Sequence, residues 1–179
     1  MKISAIKPLI CCPKYVWAGI FISIVLTACG YQFSGRGNLP SGVQTIAVNI
    51  LKNRTLETGL ENILTNDLIF EFIRSGRAVE KNNKKADAVL SGVIESSRIT
   101  TISRKGEQSP LARQIEITVN LKLTSSDDRV IWSASGISDY EAYNVAADKQ
   151  ATETNKRRAL ETLSKRLAER VQNSLTENF

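Results

Sequence analysis

The chain has 179 residues, with 24 Lys and Arg against 18 Asp and Glu and no histidine, giving a formal net charge of +6. Without histidine, zinc sites built from His and Cys and nucleophilic pairs of the Ser-His or Cys-His kind are excluded. The three cysteines, Cys11, Cys12 and Cys29, all lie near the start, so their role depends on how that start is read.

Lys2, Lys7 and Lys14 precede "YVWAGIFISIVLTA", Tyr15 to Ala28, with no acidic residue before Cys29. This is the layout of a secretory signal peptide. At 14 residues the apolar run is shorter than the ~20 that a lasting membrane span requires. Leu26-Thr27-Ala28-Cys29 resembles the bacterial lipobox, an apolar residue and two small ones before a cysteine. The resemblance implies that residues 1–28 are removed and that Cys29 becomes a lipidated N-terminus; Gly30, rather than an aspartate, implies sorting to the outer membrane. Cys11 and Cys12 leave with the signal peptide, so no internal disulfide can form. The mature chain, 29–179, keeps 21 basic residues against 18 acidic ones, a net of +3. Its length suits one domain, and an exported chain of that charge has no case for nucleic acid.

Residues 30–42, "GYQFSGRGNLPSG", read as an extended tether, and 43–179 as the single domain. "QTIAVNI" sets Ile46, Val48 and Ile50 on one side of a first strand. Thr55 is expected to cap a helix with Glu57 in its first turn; Leu60, Ile63, Leu64, Asp67, Leu68 and Glu71 recur at helical spacing. Ile69, Phe70, Phe72 and Ile73 make its second half apolar nearly all round, and Gly76 is its left-handed end. A short strand at 78–81 precedes the polar run "KNNKK".

"ADAVLSGVIESSRITTIS" is the next strand, with Gly92 at a bulge or close contact. "RKGEQSPLA", 104–112, reads as a loop around Gly106 and Pro110. In "RQIEITVNLKLT", Ile115, Ile117, Val119, Leu121 and Leu123 alternate with Gln114, Glu116, Thr118, Asn120 and Lys122, so one face is buried and the other polar. "SSDDR" is a turn, Val130 to Tyr143 returns as a strand, and Asp148 to Leu175 is a helix whose Asn155, Ala159, Leu163, Leu167, Val171 and Leu175 step by four. The expected fold is α+β: a two-layer sandwich of β-α-β-β-β-β-α order, its mixed, mostly antiparallel sheet carrying two helices on one face and leaving the other open and polar.

Chemistry is sparse. Asp127 and Asp128 belong to a turn, with nothing apolar nearby to split their pKa values. Ser96-Ser97 and Ser125-Ser126 have no histidine to activate them, and "SGRGNLPSG" does not lead a strand into a helix as a phosphate loop must. No catalytic residue, metal site or cofactor is expected. Lys156-Arg157-Arg158 and Lys165-Arg166 read as the solvated face of the last helix. Arg104 and Lys105, with Arg113 on the returning strand, gather cations at one end of a hairpin, where bidentate hydrogen bonds could grip phosphates.

In order along the chain, "CGYQFSG", "TIAVNILKNRTLETGLENILTNDLIFEFIRSG", "ADAVLSGVI", "RQIEITVNLKL", "VIW" and the last amphipathic helix resemble the LPS-assembly lipoprotein family (LptE, or rare lipoprotein B). The resemblance implies a sheet with two helices on one side. It implies a non-enzymatic lipoprotein that plugs the lumen of the LptD barrel at the outer membrane and binds lipopolysaccharide. Arg104, Lys105 and Arg113 are the residues that would meet lipid A phosphates. An alternative rests on "TIAVNILKNRT", which also resembles a strand of lipoproteins that activate cell-wall synthases or build secretion assemblies.

Overall fold

The computed structural model describes residues 43–105 and 109–177. Cys29, the signal segment and the tether lie outside the described residues. The sheet is built on three long strands, β4 (Ala88–Lys105), β5 (Ser109–Ser125) and β6 (Val130–Asn144), paired antiparallel in sequence order. On β5 the period-two pattern places Ile115, Ile117, Val119, Leu121 and Leu123 in the core, none more than 3% exposed. Gln114, Glu116, Thr118, Asn120 and Lys122 occupy the other face, as alternation requires. Between β5 and β6, Asp128 adopts φ 63° and the Ser125 amide donates to the Arg129 carbonyl, closing the "SSDDR" turn.

The described residues of 104–112 are strand, not the loop that the glycine and proline suggest. β4 runs through Lys105 and β5 starts at Ser109, with Arg104 opposite Pro110 and Lys105 opposite Ser109. Pro110 is tolerated because it falls at the register shift between Ser103 and Arg104, where β5 carries an extra residue and the ladder is interrupted. Gly92 is a close contact: a Cβ there would collide with the Asn120 carbonyl oxygen and Leu121 Cδ2. The bulge falls instead between Ile94 and Ser96.

The first half of the sheet is short and parallel. β1 (Thr45–Val48) lies between β3 (Ala78–Val79) and β4, and a two-residue strand, β2 (Lys52–Asn53), also pairs with β4. The sequence pattern gave no sign of β2. Within β1, Ile46 and Ala47 are both buried, while Ile50 is 67% exposed because the chain has left the sheet and Leu51 takes the core position instead. Asp87 ties β1 down: its carboxylate accepts from the Gln44 and Thr45 amides and the Thr45 hydroxyl, and its own amide donates to Thr45 Oγ1. Those backbone hydrogen bonds, then the hydroxyl, hold the Asp87 carboxyl below its ordinary value. Its contribution is therefore present above the unfolded carboxylate pKa and lost as pH falls through the lower folded value. Asp87→Ala is expected to strip hydrogen-exchange protection from the β1 amides while leaving β5 protected at neutral pH; equal loss in both strands would contradict this local role.

Helix α1 spans Leu60–Arg74 and starts later than its sequence suggests. Thr55 does not cap it: the Asn53 side chain accepts from the Thr55 amide and hydroxyl, Thr55 Oγ1 accepts from the Glu57 amide, and Gly59, in a left-handed conformation, precedes the helix. The other end follows expectation, with Gly76 at φ 80°, its amide donating to the Ile73 carbonyl and the Arg77 amide to that of Phe72, a Schellman closure. Helix α2 spans Lys149–Glu177, and Asp148 Oδ2 accepts from the Ala151 amide at its start. Lys156 pairs with Glu57 near one end of α1 and Glu169 with Arg74 at the other, so the two helices run in the same direction. Leu64, Leu68 and Phe72 of α1 join Leu163, Leu167 and Val171 of α2 in one core with the apolar sheet face. The result is the two-layer α+β sandwich, with both helices on one side of a six-stranded sheet.

Candidate functional site

The core stops short of the hairpin end. Ile115 is fully buried, but its neighbour across the strand, Ile99, is 43% exposed, and Ile102 and Leu111 further out are half exposed. The outer part of β4–β5 is therefore an overhang whose apolar side chains stay exposed, although α2 runs beside β6 as far as Asn144. Arg104 is exposed on it and pairs through its backbone with Pro110, beside Lys105 and Ser109. Arg113 is half-buried and opposite Thr101. It stands three residues back along β4 from Arg104, about 10 Å at strand spacing, and by alternation shares the face of Ile115. The structure thus sets Arg104 on the hairpin end, with Lys105 next to it in the strand, and Arg113 further back, on the helix side. Among the described residues, neither Arg104 nor Arg113 forms an ion pair.

The open sheet face is polar and furnished by design of the strand pattern. The Asn120 side-chain oxygen accepts from the Gly136 amide at 2.8 Å, where β6 carries an extra residue and Gly136 has φ 71°. At the opposite end from the overhang, Lys84, Lys122, Thr124 and Asp128 line a cleft of about 480 Å³. Among the described residues no group of carboxylates and cysteines could hold a metal, and no helix is long and apolar enough to cross a membrane.

The basic residues of α2 are not uniformly solvated. Lys156 is bound by Glu57 at 3.2 Å and Glu153 at 3.1 Å; burial acts to lower its pKa, but the two carboxylates outweigh it and raise it. Arg166 holds Asp139 of β6 at 2.9 Å and also donates to Glu141 and to the Tyr140 carbonyl, while Arg170 donates to the Ser138 carbonyl. Burial pushes the Asp139 carboxyl up, yet the Arg166 hydrogen bond, the Tyr140 amide and the charges of Arg166 and Arg170 prevail and hold it below its ordinary value. Sequence pattern missed this clamp, since an arginine on a charged helix face looks the same whether or not a buried carboxylate lies beneath it. The one available signal was Asp139 itself, an acidic residue on a strand that returns against the core.

This sheet with two helices on one face is a fold shared with several small bacterial lipoproteins. The chain is similar to a minor lipoprotein of Acinetobacter baumannii at 14% identity and TM-score 0.56, covering 78% of this chain and 95% of that one. It is similar to rare lipoprotein B of Shewanella oneidensis at 13% identity and TM-score 0.52, covering 73% and 96%, and to lipoprotein B of Nitrosomonas europaea at 12% and 0.53, covering 79% and 87%. At such identities the likeness is one of fold. No curated protein matches the sequence. Residues 43–175 match the family model of LptE, lipopolysaccharide-assembly, and the chain belongs to that family. Its role is therefore in lipopolysaccharide assembly, within a family of envelope lipoproteins.

Proposed function

We propose that the chain is an outer-membrane lipoprotein, cleaved before Cys29 and anchored there, with 29–42 as tether and 43–179 as one domain that plugs the LptD β-barrel from the periplasmic side and binds lipopolysaccharide. The observation that carries the reading is the uncovered polar sheet face with its basic overhang, in a chain of the LptE family. A barrel lumen is polar, and a plug meets it with Thr, Asn, Gln and charged side chains such as those of Gln114, Glu116, Thr118, Asn120 and Lys122, not with an apolar patch. Three acyl chains on Cys29, each contributing ~0.8 kcal/mol per buried CH₂, would hold the protein on the membrane far beyond the marginal grip of a single chain.

Lipid A phosphates are assigned to Arg104 and Lys105 at the hairpin end, with Arg113 below them. Exposed Ile99, Ile102 and Leu111 on the same overhang suit an amphiphile with an anionic head. The double charge reversal Arg104→Glu/Lys105→Glu is expected to weaken binding of purified lipopolysaccharide at least about tenfold, each lost charge-assisted contact contributing ~1.5–3 kcal/mol before screening. The variant should still co-purify with the barrel from detergent-extracted outer membranes. Unchanged lipopolysaccharide binding would overturn the site, and wild-type protein that fails to co-purify with any barrel would overturn the plug.

A further inference from the structure

The two long edges of the sheet are finished differently. Along β6, the outward carbonyls of Ser138, Tyr140 and Asn144 accept from Arg170, Arg166 and Asn155 of α2, so that edge is closed by side chains. Along β4, β1 covers Ala88–Leu90 and β2 covers Val93–Ile94, and the Arg54 amide donates to the Ile94 carbonyl. From Ser96 onward, no described strand pairs with β4 on that side. The orientation of the free backbone follows from register. Ile94 points its carbonyl outward, the bulge before Ser96 inserts one residue, and antiparallel alternation then turns the amides and carbonyls of Ser97, Ile99 and Thr101 away from β5. The next register shift, after Thr101, bounds the segment.

This open edge reads "SSRITT": β-branched, without proline or an acidic residue, the composition that accepts another strand. Its two faces differ. On the helix side, Ile99 and the 99% exposed Leu56 line one cleft of about 430 Å³, whose two carboxylates, Glu57 and Glu95, are already paired with Lys156 and Arg54. On the other side stands Arg98, opposite Glu116 and without an ion pair among the described residues. We propose that the edge Ser96–Thr101 receives an extended acidic segment of a partner polypeptide as an added strand, with apolar side chains against Leu56 and Ile99 and carboxylates toward Arg98. Main-chain hydrogen bonds supply the affinity of such an addition, and the alternating side chains supply its specificity. A second copy of this chain is the poorer occupant, because pairing two such edges brings Arg98 and Arg104 of each copy together.

The test uses the full chain in detergent and a ten-residue peptide of alternating valine and aspartate. Controls are its valine-lysine counterpart and a version N-methylated at every second amide, which keeps the charge but cannot donate along one edge. The acidic peptide is expected to bind and to protect the Ser97, Ile99 and Thr101 amides from hydrogen exchange. N-methylation of the peptide, or Thr101→Pro in the protein, should weaken binding at least about tenfold, the loss of a few backbone hydrogen bonds. Should Thr101→Pro not fold, the N-methylated peptide against wild-type protein decides the matter. Equal binding of the N-methylated peptide would mean adsorption by charge and overturn the proposal, as would protection elsewhere, absence of binding, or self-association of the protein through this edge.

Discussion

Arg166→Ala is expected to destabilise the domain by about 2 kcal/mol at neutral pH, and by less in acid. The guanidinium serves Asp139, Glu141 and the Tyr140 carbonyl at once. Removing one partner of a largely buried pair leaves the other without compensation, a loss of ~3–5 kcal/mol in the interior. Arg166 is 40% exposed, so solvent screening reduces that figure. The pH dependence follows from the depressed Asp139 pKa. With a folded pKa below the unfolded ~3.9, the carboxylate stabilises the fold above that value and loses its contribution as pH falls through the folded one. In the variant the burial of Asp139 is opposed by much less, so its carboxyl rises and protonation relieves it. Denaturant titrations of both proteins from neutral pH to about pH 3 should therefore converge. A gap between them that stays constant with pH would show that Arg166 acts through packing of its stem, not through Asp139.

The second large effect is expected at Gly92, where Gly92→Ala should destabilise by about 3 kcal/mol, the upper end of ordinary overpacking. The added Cβ meets the Asn120 carbonyl oxygen, which is backbone in the most tightly paired strand of the sheet, as well as the Leu121 side chain. A flexible side chain could move aside; the β5 backbone can move only by disturbing its ladders with β4 and β6. Leu121→Ala introduced together with Gly92→Ala relieves only the side-chain contact, so thermal unfolding should show the double variant no more stable than Gly92→Ala alone. Recovery of wild-type stability in the double variant would locate the clash in Leu121 and not in the β5 backbone.

The three long strands, both helices and the two-layer packing were legible because each shows one period over many residues. On β5, five apolar residues at every second position leave a single orientation; on α2, Ala159, Leu163, Leu167, Val171 and Leu175 do the same at every fourth. Misreadings arose where a local signal met a tertiary competitor. Thr55 followed by Glu57 looks like a helix cap, but the Asn53 side chain claims the Thr55 amide and delays α1 to Leu60. Ile50 continues a strand alternation, but Leu51 fills the core in its place. Gly106 and Pro110 signal a loop, yet 104–105 and 109–112 are strand, because Pro110 falls at a register shift where the ladder is already interrupted. Lys156 and Arg166 read as solvated because helical periodicity reports which face a residue is on and not which carboxylate lies opposite. Of the candidate site, the sequence showed the cations of the hairpin; that Arg113 stands apart from Arg104 depended on register, which no single strand contains. The open edge of β4 was invisible for the same reason, since an unpaired backbone is a property of neighbours.

The uncovered length of β4 also sets a distance. From Ser96 to Lys105 the strand continues for ten residues past the last strand that shields its edge, about 30 Å at ~3.3 Å per residue. The hydrocarbon layer of a bilayer is ~30 Å thick. The free edge is thus about as long as that layer is thick, while α2 runs beside β6 as far as Asn144, whose partner Ala112 lies opposite Ser103. Seated in a barrel as proposed, the chain would carry a free backbone edge about as long as the membrane is thick, alongside a wall whose own strands are already paired to one another.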